Sequence, residues 1–402
     1  MTSQTGGRAV GFTADNPVNP TAIRGTLGLA LAMGMGRFFY TPVLPLMVAA
    51  LHWSSAPGAW IATLNYVGYF IGSLVIARGW VEPTRGVYRL SLIVSTLCLA
   101  AIPLTSNLVW QGSVRTLAGI ASGLIFVCIT QRIPFVARRP VDSGLVYAGI
   151  GTGILISGVI VLTAGSLVDW RGLWLICALL SAVFTVIAWA WPMPAPGESK
   201  PADKPAEVVA ANDRPDITAD PPRLRRAMAV LTAGYFFQGF GYIIIGTYLV
   251  VLAKPVFGET AAASTWVVAG IATAASPLIW SNVAARIGTR RGLAFCYCLQ
   301  VGGAVLAVFG TNPILLLIAA ALFGGTFVGA VMMTIGEGTQ MGITAAAAKL
   351  TTWYSLGQIA GPALIALVLS GTVIGSFIAA AVALLLAMVL TLLGSLTGNI
   401  EK

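Results

Sequence analysis

Charge is what this sequence has least of: 9% of its 402 residues are Asp, Glu, Lys or Arg, against about 25% in an ordinary soluble domain. That shortage excludes a water-soluble globule and leaves lipid as the solvent. Histidine is reduced to His52, and the five cysteines, Cys98, Cys128, Cys177, Cys296 and Cys298, all fall inside apolar runs, where a thiol behaves as a small hydrophobe. No disulfide framework follows, and the Cys296-x-Cys298 pair lacks the further clustered ligands a metal centre needs. The sequence also lacks a Gly-x-x-x-x-Gly-Lys-Ser/Thr loop, so ATP does not drive the chain directly, and no cofactor is expected.

Apolar length is present in abundance. Hydrophobic residues make up 57% of the chain, and at roughly 20 apolar residues per crossing they suffice for eleven or twelve transmembrane helices with almost nothing left for a soluble domain. Spanning windows fall at about 25–50, 58–78, 88–106, 109–131, 143–165, 172–192, 227–252, 262–284, 292–311, 313–336, 350–371 and 373–396. Residues 1–22, which hold Gly6, Gly7, Pro17 and Pro20 and no apolar core, read as a cytoplasmic tail, and the proline-rich, charged stretch 193–226 as a cytoplasmic linker. The expected organisation is an N-terminal six-helix half, 23–192, and a C-terminal half, 227–402.

The net charge of +10 would point to nucleic acid in a soluble protein, but here the bases sort by membrane side. With the N-terminus inside, nineteen of the 23 Lys and Arg residues lie in cytoplasmic segments, Arg171 and Lys254 lie outside, and Arg37 and Arg115 lie within spans. That bias predicts an even number of spans, both termini cytoplasmic, and an inner-membrane protein with no nucleic-acid partner.

An offset of about 206 residues superposes Gly119 and Gly123 on Gly325 and Gly329, Trp60 on Trp266, Arg85-Gly86 on Arg291-Gly292 and Gly151 on Gly357; Gly34 and Gly36 meet Gly239 and Gly241 one residue off. The recurrence in order predicts two homologous halves, a parallel repeat.

These features resemble the major facilitator superfamily over essentially the whole chain from Ile23. Arg115-x-x-x-Gly119-x-x-x-Gly123 is similar to the Arg and Gly motif of the family's fourth span, and Asp169-Trp170-Arg171 to the Trp-Arg before its sixth. Gly34-Met35-Gly36-Arg37-Phe38-Phe39-Tyr40-Thr41-Pro42 and Gly357-Gln358-x-x-Gly361-Pro362 resemble the uncharacterised YbfB/YjiJ-like branch, which implies no established substrate. The resemblance implies an all-α fold of twelve transmembrane helices in two six-helix repeats, and a gating or coupling role for Arg115, Gly119, Gly123, Arg286, Gly288, Gly361 and Pro362. The family's loop motif between spans two and three is eroded: neither Ala77-Arg78-Gly79 nor Ala285-Arg286-Ile287-Gly288 carries its aspartate.

Arg37 stands near the bilayer midplane, where an arginine costs about 2.5–3.5 kcal/mol on insertion scales and must face a partner or a cavity. Gly34 and Thr41 share its helix face. Two roles follow for it: a guanidinium fork for a substrate carboxylate or phosphate, or an anchor for backbone carbonyls freed near Pro42 and Pro45. Tyr40, Thr41, Asn65, Tyr69, Gln238, Tyr242, Tyr354 and Gln358 are the remaining candidate substrate contacts, presented at three-to-four-residue spacing by spans one, two, seven and eleven. Every acid falls in a loop or at a rim, with Asp142 and Glu337 at the cytoplasmic rim. No buried acid, base or metal-ligand set exists for an enzyme. The expectation is a monomeric secondary transporter moving a small, anionic or amphipathic organic solute by alternating access. The alternative is a non-transporting membrane receptor or scaffold that keeps the fold.

Overall fold

The computed structural model describes residues 19–53, 55–197, 221–258, 262–368 and 373–398, so most of the expected tail and linker lies outside the described residues. The first span, α1, runs Pro20–Leu51. It is followed by α2 (Ser55–Ala77), α3 (Arg85–Ala101), α4 (Leu108–Val136), α5 (Pro140–Ala164) and α6 (Trp170–Ala188), then α7 (Pro221–Phe257), α8 (Ala263–Ile287), α9 (Thr289–Val308), α10 (Pro313–Gln340), α11 (Ala346–Val368) and α12 (Val373–Gly398). Among the described residues, eleven of the twelve are long and apolar enough to cross a membrane. The exception, α11, buries a polar face of Thr351, Ser355 and Gln358.

Local chemistry sets the ends. Asn19, Asn107, Asp169 and Asn312 cap the helices that follow them, each side-chain oxygen accepting a first-turn N–H, as free donors at a helix start require. Asp142, the third residue of α5, reaches back past the helix start: its carboxylate accepts from the Arg138 and Arg139 backbone N–H groups at 3.0 and 3.1 Å, from Arg139 Nη2 at 3.2 Å and from Asn19 Nδ2 at 3.4 Å. This rim acid is buried in the packing that joins the start of α1 to the start of α5.

The helices pack in a pattern that recurs six helices later: α1 with α5 as α7 with α11, α2 with α4 as α8 with α10, and α3 with α6 as α9 with α12. The repeats meet along α5·α8 and α2·α11, two seams that a six-helix shift exchanges, as a twofold relation between repeats demands. On α5, Gly144, Gly151 and Gly158 face Leu278, the Ala274 backbone and Val267 of α8 at seven-residue intervals. Without a hydrophobic drive between helices in lipid, such close backbone approach is what holds a seam. Trp266 Nε1 donates across it to Ser157 Oγ at 3.2 Å.

Two details of the expected repeat register differ. Gly324, not Gly325, makes the close approach to Ala269 of α8. Trp60 is exposed whereas Trp266 is fully buried, so that pair shares a residue type but not an environment.

Basic side chains collect at one end of the bundle. Arg24 Nη1, Arg89 Nε and Arg132 Nε donate to the carbonyls of Ala190, Trp189 and Pro192, and the Arg85 N–H bonds Pro194 O. The carbonyls that end α6 have no helical donors of their own, and cations there also complement the helix dipole.

Candidate functional site

The site is built on a broken first helix. Ala30–Met35 is wound as a π-helix, with Gly36 N–H reaching Leu31 O at 2.7 Å and Phe38 N–H reaching Met33 O at 3.1 Å. Regular helix resumes only at Tyr40. Pro42 and Pro45 have no N–H to return to Phe38 and Thr41, so several carbonyls of this stretch need other donors. Ser122 Oγ of α4 donates to Ala32 O. Arg115 of α4 donates from Nη1 to Gly36 O at 2.8 Å and from Nη2 to Arg37 O at 3.0 Å.

The carbonyl-anchoring role thus falls to Arg115 and not to Arg37. Arg115, the eighth residue of α4, stands beside the α1 backbone at Gly36 and Arg37. Its guanidinium stands 4.9 Å from the Tyr40 ring and 5.9 Å from Trp174.

The freed Arg37 side chain points between the repeats. It is 3% exposed, and its Nη2 donates to Gln358 Oε1 of α11 at 2.6 Å. Gln358 Nε2 in turn donates to the Tyr242 hydroxyl of α7 at 2.7 Å. Pro362 removes the donor that would have met the Gln358 carbonyl one turn later, and Gly361 brings α11 against Phe240 O of α7. Tyr69 lies beneath the guanidinium at 4.0 Å, with Tyr66 and Phe38 at 5.4 Å. Their negative ring faces hold the cation where no carboxylate does.

An aromatic wall closes the other side. Tyr242 stacks on Phe327 and Tyr354 at 5.1 and 5.2 Å, Tyr354 stacks on Tyr235 at 4.4 Å, and Trp266 and Phe323 continue the row. Nε and Nη1 of Arg37, the Tyr69 hydroxyl, the Tyr235 hydroxyl and both polar atoms of Gln238 are buried without hydrogen-bond partners.

The structure therefore assembles Arg37, Tyr69, Tyr242, Tyr354 and Gln358 into one cluster, with Gln238 on the same α7 face as Tyr235 and Tyr242 by spacing. Three other candidates point elsewhere. Tyr40 donates to Gly58 O at 3.1 Å, and Asn65 Nδ2 donates to Arg115 O at 2.8 Å, both within the first repeat; Thr41 is half-buried beyond the break. Gly119 and Gly123 pack on the backbone of Asn65 and Tyr69 and so set how close α4 lies to α2. Arg286 is exposed at the α8–α9 turn. There Gly288 takes a φ of +87°, a conformation open to glycine at little cost. The ion pair of that region is Arg290–Glu337, at 2.8 Å.

Phe38, Tyr66, Trp266, Phe323 and Phe327 belong to the cluster and were not among the sequence candidates. The Phe323/Phe327 spacing of four on α10 was their one visible signal.

The comparisons agree with this architecture. A family model described as "Uncharacterised MFS-type transporter YbfB" matches residues 29–392. A probable transporter of Streptomyces coelicolor, SCO4007, is 26% identical over 348 residues, covering 84% of this chain and 78% of that protein. Among solved structures, a point mutant of the nucleoside transporter NupG superposes with a TM-score of 0.64 at 14% identity, over 94% of this chain and 99% of the other, a likeness of fold. With that family model spanning both repeats and the break in α1, the chain belongs to the YbfB-type family of major facilitator superfamily transporters.

Proposed function

We propose that this membrane transporter moves a small organic anion with an apolar or aromatic body, binding it between the repeats at Arg37. The observation that carries the reading is the state of that guanidinium: buried, held by one neutral amide and three ring faces, with Nε and Nη1 unpaired. A carboxylate or phosphate on the substrate supplies the two missing acceptors in the fork geometry an arginine offers, while Tyr242, Tyr354 and Phe327 give its body a stacking surface.

Alternating access follows from where the cluster sits. Arg37 and Gln358 belong to different repeats, so an anion that takes over Arg37 breaks the direct link across the centre and frees the repeats, 23–192 and 227–402, to rock about the α5·α8 and α2·α11 seams. In this reading the arginine-rich end of the bundle faces the cytoplasm, with both termini and the 193–226 linker inside, and the chain works as a monomer in the bacterial inner membrane. With Asp142 consumed as a helix cap and Glu337 paired to Arg290, the substrate carries any coupled proton itself, or transport is uniport or exchange.

Counterflow in proteoliposomes against a panel of aromatic and aliphatic carboxylates, phosphates and their neutral analogues tests this. Accumulation is expected only for anions, and Arg37→Lys is expected to reduce it, because an ammonium does not reproduce the fork. Equal transport by wild type and Arg37→Ala ends the proposal.

A further inference from the structure

Where α2 ends and α11 begins, the two helices diverge and leave a groove of about 330 Å³. Its walls are apolar: Phe70 and Leu74 on α2, Trp353 and Leu356 on α11. At its mouth stand two cations, Arg78 and Lys349, both exposed. No acid lines the groove, and neither basic side chain has a hydrogen-bond or ion-pair partner among the described residues. Beside the groove, Thr352 Oγ1 lies 3.4 Å from Ser73 Oγ, so the repeats touch there.

We propose that this groove binds one anionic phospholipid, its phosphate bridging Arg78 and Lys349 and the start of an acyl chain lying against Phe70, Leu74, Trp353 and Leu356. Geometry favours a lipid over a soluble anion. From Phe70 to Arg78 is eight residues, about 12 Å along a helix, so apolar wall extends from the cations into the membrane over a length a free phosphate leaves empty and a lipid fills. Trp353, 50% exposed one turn beyond Lys349, is the amphipathic side chain expected at the level of headgroup and glycerol. Basic pockets between transmembrane helices are where anionic headgroups collect. Because α2 and α11 belong to different repeats, a lipid seated here also ties the two repeats together at this end. This site does not depend on the substrate reading above and stands if that reading falls.

The test uses the full chain purified in neutral detergent, with phosphatidylglycerol or phosphatidylcholine added, reading retained lipid by native mass spectrometry and the apparent melting temperature alongside. Phosphatidylglycerol is expected to be retained more strongly and to raise the melting temperature more, as any ligand of the native state does. Arg78→Ala/Lys349→Ala is expected to weaken the preference about 25-fold, two steps of about fivefold from about 1 kcal/mol per cation. Arg225→Ala/Arg226→Ala, which removes two exposed bases elsewhere, keeps it. Leu356→Trp retains both cations but fills the groove and is expected to weaken binding of both lipids. An undiminished preference in the double alanine variant, unchanged binding in Leu356→Trp, or equal stabilisation by glycerol phosphate alone overturns the proposal.

Discussion

Arg115 and Arg37 are both arginines buried within spans, yet replacing them is expected to have opposite consequences. Arg115 makes two charge-assisted bonds, to Gly36 O and Arg37 O, and among the described residues no other side chain bonds those carbonyls. At the average measured inside membrane proteins, about 0.6 kcal/mol per side-chain bond, Arg115→Ala loses about 1 kcal/mol. At the value for bonds to charged groups, about 1.5–3 kcal/mol each, it loses about 3–6 kcal/mol. The upper range applies, because the donor is a cation and the carbonyls face no water. Arg37→Ala loses the bond to Gln358 and the contacts with the Phe38, Tyr66 and Tyr69 rings, and at the same time removes a buried cation that has no counter-charge among the described residues, so the contributions largely cancel. Thermal unfolding of the purified protein in detergent, followed by intrinsic tryptophan fluorescence, is expected to place Arg115→Ala well below wild type, Arg115→Lys between them, and Arg37→Ala close to wild type. If Arg115→Ala melts with wild type, or Arg37→Ala melts as low as Arg115→Ala, the assignment of anchor and free fork is wrong.

Further outcomes follow from the same geometry. Tyr242→Phe keeps the stacking on Phe327 and Tyr354 but removes the acceptor for Gln358 Nε2, so its counterflow is expected to fall less than that of Gln358→Leu, and the reverse order counts against the Arg37–Gln358–Tyr242 chain. Gly151→Val puts a branched side chain onto the Ala274 backbone and is expected to impair transport and lower the melting temperature, whereas Gly302→Val, which meets nothing within 4 Å, leaves both near wild type. Asp142→Asn weakens the cap of α5 and is expected to cost about 1 kcal/mol of stability while leaving pH-driven substrate accumulation intact; loss of accumulation with counterflow spared identifies Asp142 as a coupling group instead. A cysteine introduced at Lys200 is expected to react with a membrane-impermeant maleimide only in inside-out vesicles, and labelling of intact cells refutes the orientation.

The number, length and order of the helices were legible before any coordinates, because hydrocarbon thickness sets how many apolar residues a crossing takes, and the glycine recurrence announced the repeat. That Arg37 lies inside the first span was legible for the same reason, as were the α7 and α11 faces that carry Tyr242, Tyr354 and Gln358. A three-to-four-residue spacing names a helix face but not the neighbour that face meets. Hence Tyr40 and Asn65, which share stripes with true members of the cluster, turned out to bond within the first repeat. Trp60 and Trp266, equal in sequence, fell on opposite sides of the protein's surface.

What the sequence determined alone is a chain that lipid must surround, with two six-helix repeats, one end rich in arginine, and two arginines that hydrocarbon cannot leave unpartnered. Which of those two anchors the backbone was decided only by the tertiary structure. The π-helical break between Ala30 and Tyr40 frees the carbonyls of Gly36 and Arg37, and the Gly119 and Gly123 contacts seat α4 close enough to α2 for Arg115 to lie beside them. Their capture by Arg115 is a long-range contact that no local pattern encodes, and it leaves Arg37 facing the centre with donors to spare.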